Sequence, residues 1–182
     1  MTGYPLNQQD LLDLQAHLPD HRLELVHGDI VVMSPSGYNS DEVASRVNGK
    51  LFTFVDERKL GRVTASSAGF TLPNSDIRSP DVSFVKAERL RISPESFAPL
   101  APDIAVEVKS PTDLLDKLRE KLDIFLEQGT TVGILIHPQQ KWVEVRRLNQ
   151  EAIILKGTDV LTVEDVLPGW ELPLEDIWAP EF

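Results

Sequence analysis

The stretch Asp103-Ile-Ala-Val-Glu-Val-Lys109 constrains the fold of this chain more than any other. Branched apolar residues alternate with small or charged ones, and only a β-strand turns that period of two into two distinct faces. Ile104, Val106 and Val108 share one face, which needs a core; Asp103, Ala105, Glu107 and Lys109 share the other. On the second face Glu107 and Lys109 stand roughly 6.5–7 Å apart along the strand. A carboxylate and an ammonium at that spacing can hold a divalent metal and face an attacking water together. Upstream, Pro80-Asp81-Val-Ser-Phe-Val85 reads as a second strand with Asp81, Ser83 and Val85 on one side. If the two strands pair, Asp81 lies across from Glu107. Two carboxylates from adjacent strands suit Mg²⁺ or Mn²⁺, hard cations that prefer oxygen ligands and keep several waters. Such an ion polarises a phosphoryl oxygen and lowers the pKa of a bound water, and a lysine beside it orients that water or offsets charge in the transition state. The plainer alternative is a same-face ion pair on an exposed strand, with Pro-Asp as turn material.

The remaining pattern frames these strands. Residues 7–17 predict a short amphipathic helix through Leu11 and Leu14. His21–Val26 and Asp29–Met33, joined by His27-Gly28, predict a hairpin. From Ser40 to about Arg58 a helix is expected with Val43, Val47, Leu51, Phe54 and Val55 on one face, Ser40 as N-cap, and Asp41 and Glu42 in the first turn. Short strands follow at 62–65, 69–72 and 79–85. A third helix is expected from Pro111-Thr112 to about Gln128, stopped by Gly129. Val132–His137 reads as a buried strand, and Lys141–Arg146 opens a second hairpin. No repeat or linker interrupts residues 1–182, so one α/β domain is the expectation.

Composition narrows the chemistry. With no cysteine, disulfides and thiolate metal sites are excluded, and a reducing cytoplasm is the expected setting. No apolar run approaches the roughly 20 residues of a membrane span, and the N-terminus lacks the pattern of a signal peptide. His17, His21, His27 and His137 show no metal-ligand spacing, and neither a nucleophile elbow nor a phosphate loop is present. A net charge of −11 runs against the basic footprint usual for gripping a phosphate backbone.

The frame Pro80-Asp81, then Glu107-Val-Lys109 after about 25 residues, resembles that of the PD-(D/E)xK nuclease superfamily. Nearly the whole chain resembles the Uma2 (DUF820) family, restriction-endonuclease-like proteins. The resemblance rests on Leu23-Glu-Leu-Val-His-Gly-Asp-Ile-Val-Val-Met-Ser-Pro35, Arg78-Ser-Pro-Asp-Val-Ser-Phe-Val85 and Pro102-Asp-Ile-Ala-Val-Glu-Val-Lys-Ser-Pro111. It continues through Leu118-Arg-Glu-Lys121, Gly129 and Ile136-His-Pro138. It implies a restriction-endonuclease-like core, a central mixed β-sheet flanked by helices with added hairpins. It also implies Asp81 and Glu107 as metal ligands in a Mg²⁺-dependent endonuclease acting on DNA, with a homodimer expected. Many relatives carry an apolar residue where Lys109 stands, a helix lysine matching Lys121 serving instead. This chain has both, and Lys121 also reads as part of a solvated stripe with Asp113 and Lys117. Glu24, which matches the family's early glutamate, and Glu42, which sits where the superfamily often adds an acidic ligand, are further candidate metal ligands. A histidine common near the start of the second helix is missing, with Asn39-Ser40 in its place. Two alternatives remain: a nuclease fold without catalysis, serving binding or assembly, and a metal-dependent hydrolase of a small phosphoester.

Overall fold

Asn7 caps the first helix, α1 (Gln8–His17), by accepting the N–H groups of Gln9 and Asp10 while Asp10 accepts that of Asn7. This reciprocal box satisfies donors that a helix start leaves open. The structure, a computed structural model, describes residues 4–181; residues 1–3 and 182, included in the one-domain expectation, lie outside the described residues. The expected hairpin forms from β1 (Arg22–Val26) and β2 (Asp29–Met33), in register from Arg22↔Met33 to Val26↔Asp29. His27 and Gly28 at its tip both have positive φ (51° and 82°), the two-residue turn whose twist matches a hairpin.

Helix α2 (Tyr38–Arg58) starts two residues before the expected point. Gly37 is its N-cap, and Ser40, inside the first turn, donates its hydroxyl back to the Gly37 carbonyl at 2.8 Å. Val43, Val47, Leu51 and Val55 form its buried stripe. Then come β3 (Gly61–Ala65), β4 (Phe70–Thr71), β5 (Ile77–Arg78), β6 (Val82–Lys86) and β7 (Ile104–Val108). Helix α3 (Leu115–Glu127) leads into β8 (Val132–His137), β9 (Trp142–Arg146) and β10 (Ile153–Lys156), and a short ribbon of β11 (Val160–Thr162) and β12 (Glu171–Pro173) precedes a 3-10 turn, Leu174–Asp176. α3 begins later than its sequence pattern suggested. Asp113 accepts the Ser110 N–H at 2.7 Å, a local side-chain bond that competes with helical pairing and holds 110–113 as a loop.

Six strands in the order β10-β9-β8-β7-β6-β3 make the main sheet, and β2-β1-β5-β4 make a second one. The main sheet is mixed: β7 and β8 run parallel, joined through α3, and the other pairs are antiparallel. α2 covers one face, packing Val47 and Leu51 with Val82, Phe84, Val106 and the Trp170 segment. α3 covers the other, where Leu122 and Phe125 meet Ala105 and Leu135. This is the α/β architecture expected, a mixed sheet flanked by helices with added hairpins. Among the described residues no helix is long and apolar enough to cross a membrane.

Candidate active site

Pairing of β6 with β7 places the first two groups. The register Val82↔Val106 carries Asp81 opposite Glu107 one step further along, and the Asp81 N–H donates to the Val106 carbonyl at 2.9 Å. Asp81 Oδ2 in turn accepts the Val108 N–H at 2.8 Å. Both side chains lie on the α3 side, because Val82 and Val106 point into the α2-side core and neighbours alternate.

From α3, Lys121 reaches into the same place. Its Nζ stands 2.9 Å from Glu107 Oε1 and 3.1 Å from Glu24 Oε1, and it donates to the Ser79 carbonyl at 2.9 Å. Glu24 comes from β1 in the other sheet and accepts the Ser79 N–H at 3.0 Å. So residue 79 ties two sheets and α3 together through its peptide groups. Glu24, Glu107 and Lys121 are 2%, 3% and 8% exposed, which removes water as a competitor for their charges.

Lys121 therefore does not lie on a solvated stripe with Asp113 and Lys117. It sits on the inner edge of α3 beside Leu122 and Phe125, whereas Lys117 is exposed and Asp113 precedes the helix. Lys109 behaves oppositely to expectation. β7 ends at Val108, so the alternation that would align Lys109 with Glu107 stops there, and its ammonium donates instead to the Ser110 carbonyl at 2.8 Å. It forms no ion pair with Asp81 or Glu107, so the expected grouping of Lys109 with the two carboxylates is corrected in favour of Lys121. Glu42 is not brought to the cluster either. It pairs with Arg46 one turn along α2 at 2.9 Å, on the outer side of the helix, because Val43 and Val47 take the buried positions.

Burial pushes the Glu107 carboxyl up to about 8; the Lys121 charge opposes that rise, and Asp81 and Glu24 add to it. Burial likewise raises Asp81, against the pull of the Val108 N–H, Lys121 and Arg22. Burial works against the Lys121 charge, yet Glu107 and Glu24 outweigh it and hold that ammonium above its ordinary value. Glu107 Oε1 has the Lys121 ammonium at 2.9 Å as its one polar neighbour of opposite charge among the described residues. Two neighbouring carboxylates, Glu107 and Asp81, removed from water with only one lysine between them, are a donor set that fits a hard divalent ion carrying its own waters. Among the described residues, no three or more of His, Asp and Glu are gathered closely enough to hold a metal by themselves.

The cluster floors a cavity of about 250 Å³ walled by Ser34–Ser36, Thr112 and Asp113. Two residues of this site were not read from the sequence as belonging to it. Arg22 precedes Glu24 by two on the same strand, so strand alternation alone puts it on the Glu24 face. Asp113, whose charge adds to the rise at Asp81, had no such signal, since its place depends on the loop before α3.

The family model Uma2, described as "Putative restriction endonuclease", matches residues 8–175. No curated protein matches the chain. Among solved structures, a crystal structure titled as a putative nuclease belonging to DUF820, from Anabaena variabilis ATCC 29413, superposes with a TM-score of 0.77 at 20% identity. The match covers 86% of this chain and 89% of that one, so the two share a fold.

Proposed function

The chain belongs to the Uma2 family, and from that premise we propose that it is a Mg²⁺- or Mn²⁺-dependent endonuclease hydrolysing DNA phosphodiester bonds at Asp81, Glu107 and Lys121. The observation that carries this reading is the buried Glu107 carboxyl next to Asp81, 2.9 Å from the Lys121 ammonium at the base of a cleft. Asp81 and Glu107 would hold the ion, which when bound supplies Lewis-acid charge and a more acidic water. Lys121 is the cation nearest Glu107, and its place is set from two sides, by Glu24 and by the Ser79 carbonyl. In that position it can orient the attacking water and offset charge that develops on the phosphoryl oxygens. Glu24, engaged with Ser79 and Lys121, acts here as a positioning residue for the lysine.

Purified protein with Mg²⁺ or Mn²⁺ should cut DNA, and Glu107→Gln should abolish the cutting. No cleavage of DNA or RNA with either ion would sink the proposal. A second reading, a nuclease fold serving binding or assembly without catalysis, is favoured by the net charge of −11. Calorimetry separates the two: Mn²⁺ binding lost in Asp81→Ala supports the first, and no binding in the parent protein supports the second.

A further inference from the structure

Arg22 is the group at this site whose hydrogen-bonding capacity the protein leaves mostly unused. Its Nη2 donates to the Ser79 carbonyl at 2.6 Å. Its Nε is buried with no partner among the described residues. The two nearest carboxylates are set back, Glu24 Oε1 from Nη2 and Asp81 Oδ1 from Nη1, each at 4.0 Å. That distance gives charge compensation but is too long for a hydrogen bond. A guanidinium carries five N–H donors in a fixed fork, and an unmet buried donor is costly. Lys121 offers the contrast, since it is closed in by Glu24, Glu107 and Ser79.

The position of Arg22 gives those spare donors a direction. It borders the inner cavity above Asp81 and Glu107 and also an outer cavity of about 630 Å³ that runs past Ser34–Ser36 to Tyr38. It stands at the neck between them. Among the described lining residues, Arg22 and Lys121 are the only Lys or Arg of the two cavities; the outer one adds the acids Asp20 and Asp41. An anion approaching two carboxylates meets repulsion unless a cation receives it, and Arg22 is the one with donors left.

We propose that Arg22 binds one phosphate group of the substrate at this neck, presenting two N–H groups to non-bridging oxygens and seating the phosphodiester against Asp81 and Glu107. The identity of the substrate rests on the nuclease reading above; the anion site itself does not. Ser79 sets the orientation, because its carbonyl receives both Arg22 and Lys121 and fixes the two cations relative to each other. With Asp20 and Asp41 beyond the neck, the cleft offers no track of cations for further phosphates. Binding of DNA should therefore have a shallow salt dependence, about one counterion's worth.

The test compares the parent protein with Arg22→Lys and Arg22→Met, using inorganic phosphate as probe, with and without Mn²⁺, and a Mn²⁺ titration alongside. Phosphate affinity should fall about tenfold or more in Arg22→Met and by less in Arg22→Lys, which keeps the charge and loses the fork. Mn²⁺ affinity should stay near the parent value in both, and KM for DNA should change far more than kcat. Equal phosphate affinity in parent and Arg22→Lys, or no phosphate binding by the parent, overturns the proposal. So does loss of Mn²⁺ affinity together with phosphate affinity in a variant that keeps its unfolding temperature, the mark of a structural counter-ion. Phosphate binding that depends on Arg22 in a protein that cleaves nothing upholds the anion site and refutes the nuclease reading instead. Should Arg22→Met not fold, Arg22→Lys decides alone.

Discussion

Replacing Lys121 with methionine removes a cation held 2.9 Å from Glu107 and 3.1 Å from Glu24, all three side chains being buried. Breaking a buried ion pair from one side costs roughly 3–5 kcal/mol, since a buried charge is left uncompensated. Here the cost depends on pH, because burial raises Glu107 to about 8 from an ordinary 4.5. A carboxyl whose folded pKa is raised favours the folded state at low pH, and that contribution is lost as pH rises through the folded value. Near pH 6 Glu107 is neutral with or without Lys121, and the loss in the metal-free variant comes from the Glu24 pair and the bond to the Ser79 carbonyl, about 3–5 kcal/mol. Near pH 9 the parent carries a carboxylate beside an ammonium, whereas the variant, without the charge that holds the rise down, keeps Glu107 protonated, and the loss should exceed that at pH 6 by about 1–2 kcal/mol. Urea unfolding of the metal-free proteins at both pH values measures the difference. Lys109→Met, which removes only a bond to the neighbouring Ser110 carbonyl, should stay within about 0.5 kcal/mol at both. In a cleavage assay Lys121→Met should lose ~10²–10⁴ in rate, while Lys109→Met stays close to the parent. A larger effect from Lys109 than from Lys121, or a Lys121→Met loss that ignores pH, would refute the reasoning.

Metal affinity should depend on pH through the same carboxyl: a ligand titrating at about 8 must lose its proton to bind, so Mn²⁺ should bind ~100-fold more tightly near pH 9 than near pH 6. Calorimetry showing the flat profile of an ordinary carboxylate would contradict that. Glu42→Ala, which breaks a partly exposed pair with Arg46, should leave Mn²⁺ affinity unchanged in the same titration. At Gly61 an added Cβ would meet the Val85 carbonyl oxygen and the Phe84 ring, so Gly61→Ala should lower stability by about 1–3 kcal/mol in denaturant unfolding; a neutral result would mean that β3 can shift away from β6.

By itself the sequence determined the parts that depend on local periodicity. Alternation in 103–109 and 80–85 specified two strands, their core faces, and a side on which Asp81 and Glu107 could meet; the register Val82↔Val106 brings them opposite each other. The His27-Gly28 turn and the Val43–Val55 stripe were legible for the same reason, since turn chemistry and helical spacing act over a few residues. What only the tertiary structure decided was which charges surround that pair. Lys109 is two residues from Glu107, yet strand alternation holds only while the strand lasts, and it ends at Val108. Lys121 and Glu24 come from a helix and from another sheet, and no spacing rule spans those separations. Lys121 even carried the pattern of a solvated helix face, because its burial comes from β1 and β7 closing over it and not from its own helix. The raised carboxyl of Glu107 belongs to the same class of fact: it follows from removal of water, which happens only when two sheets and α3 pack around one peptide group at Ser79.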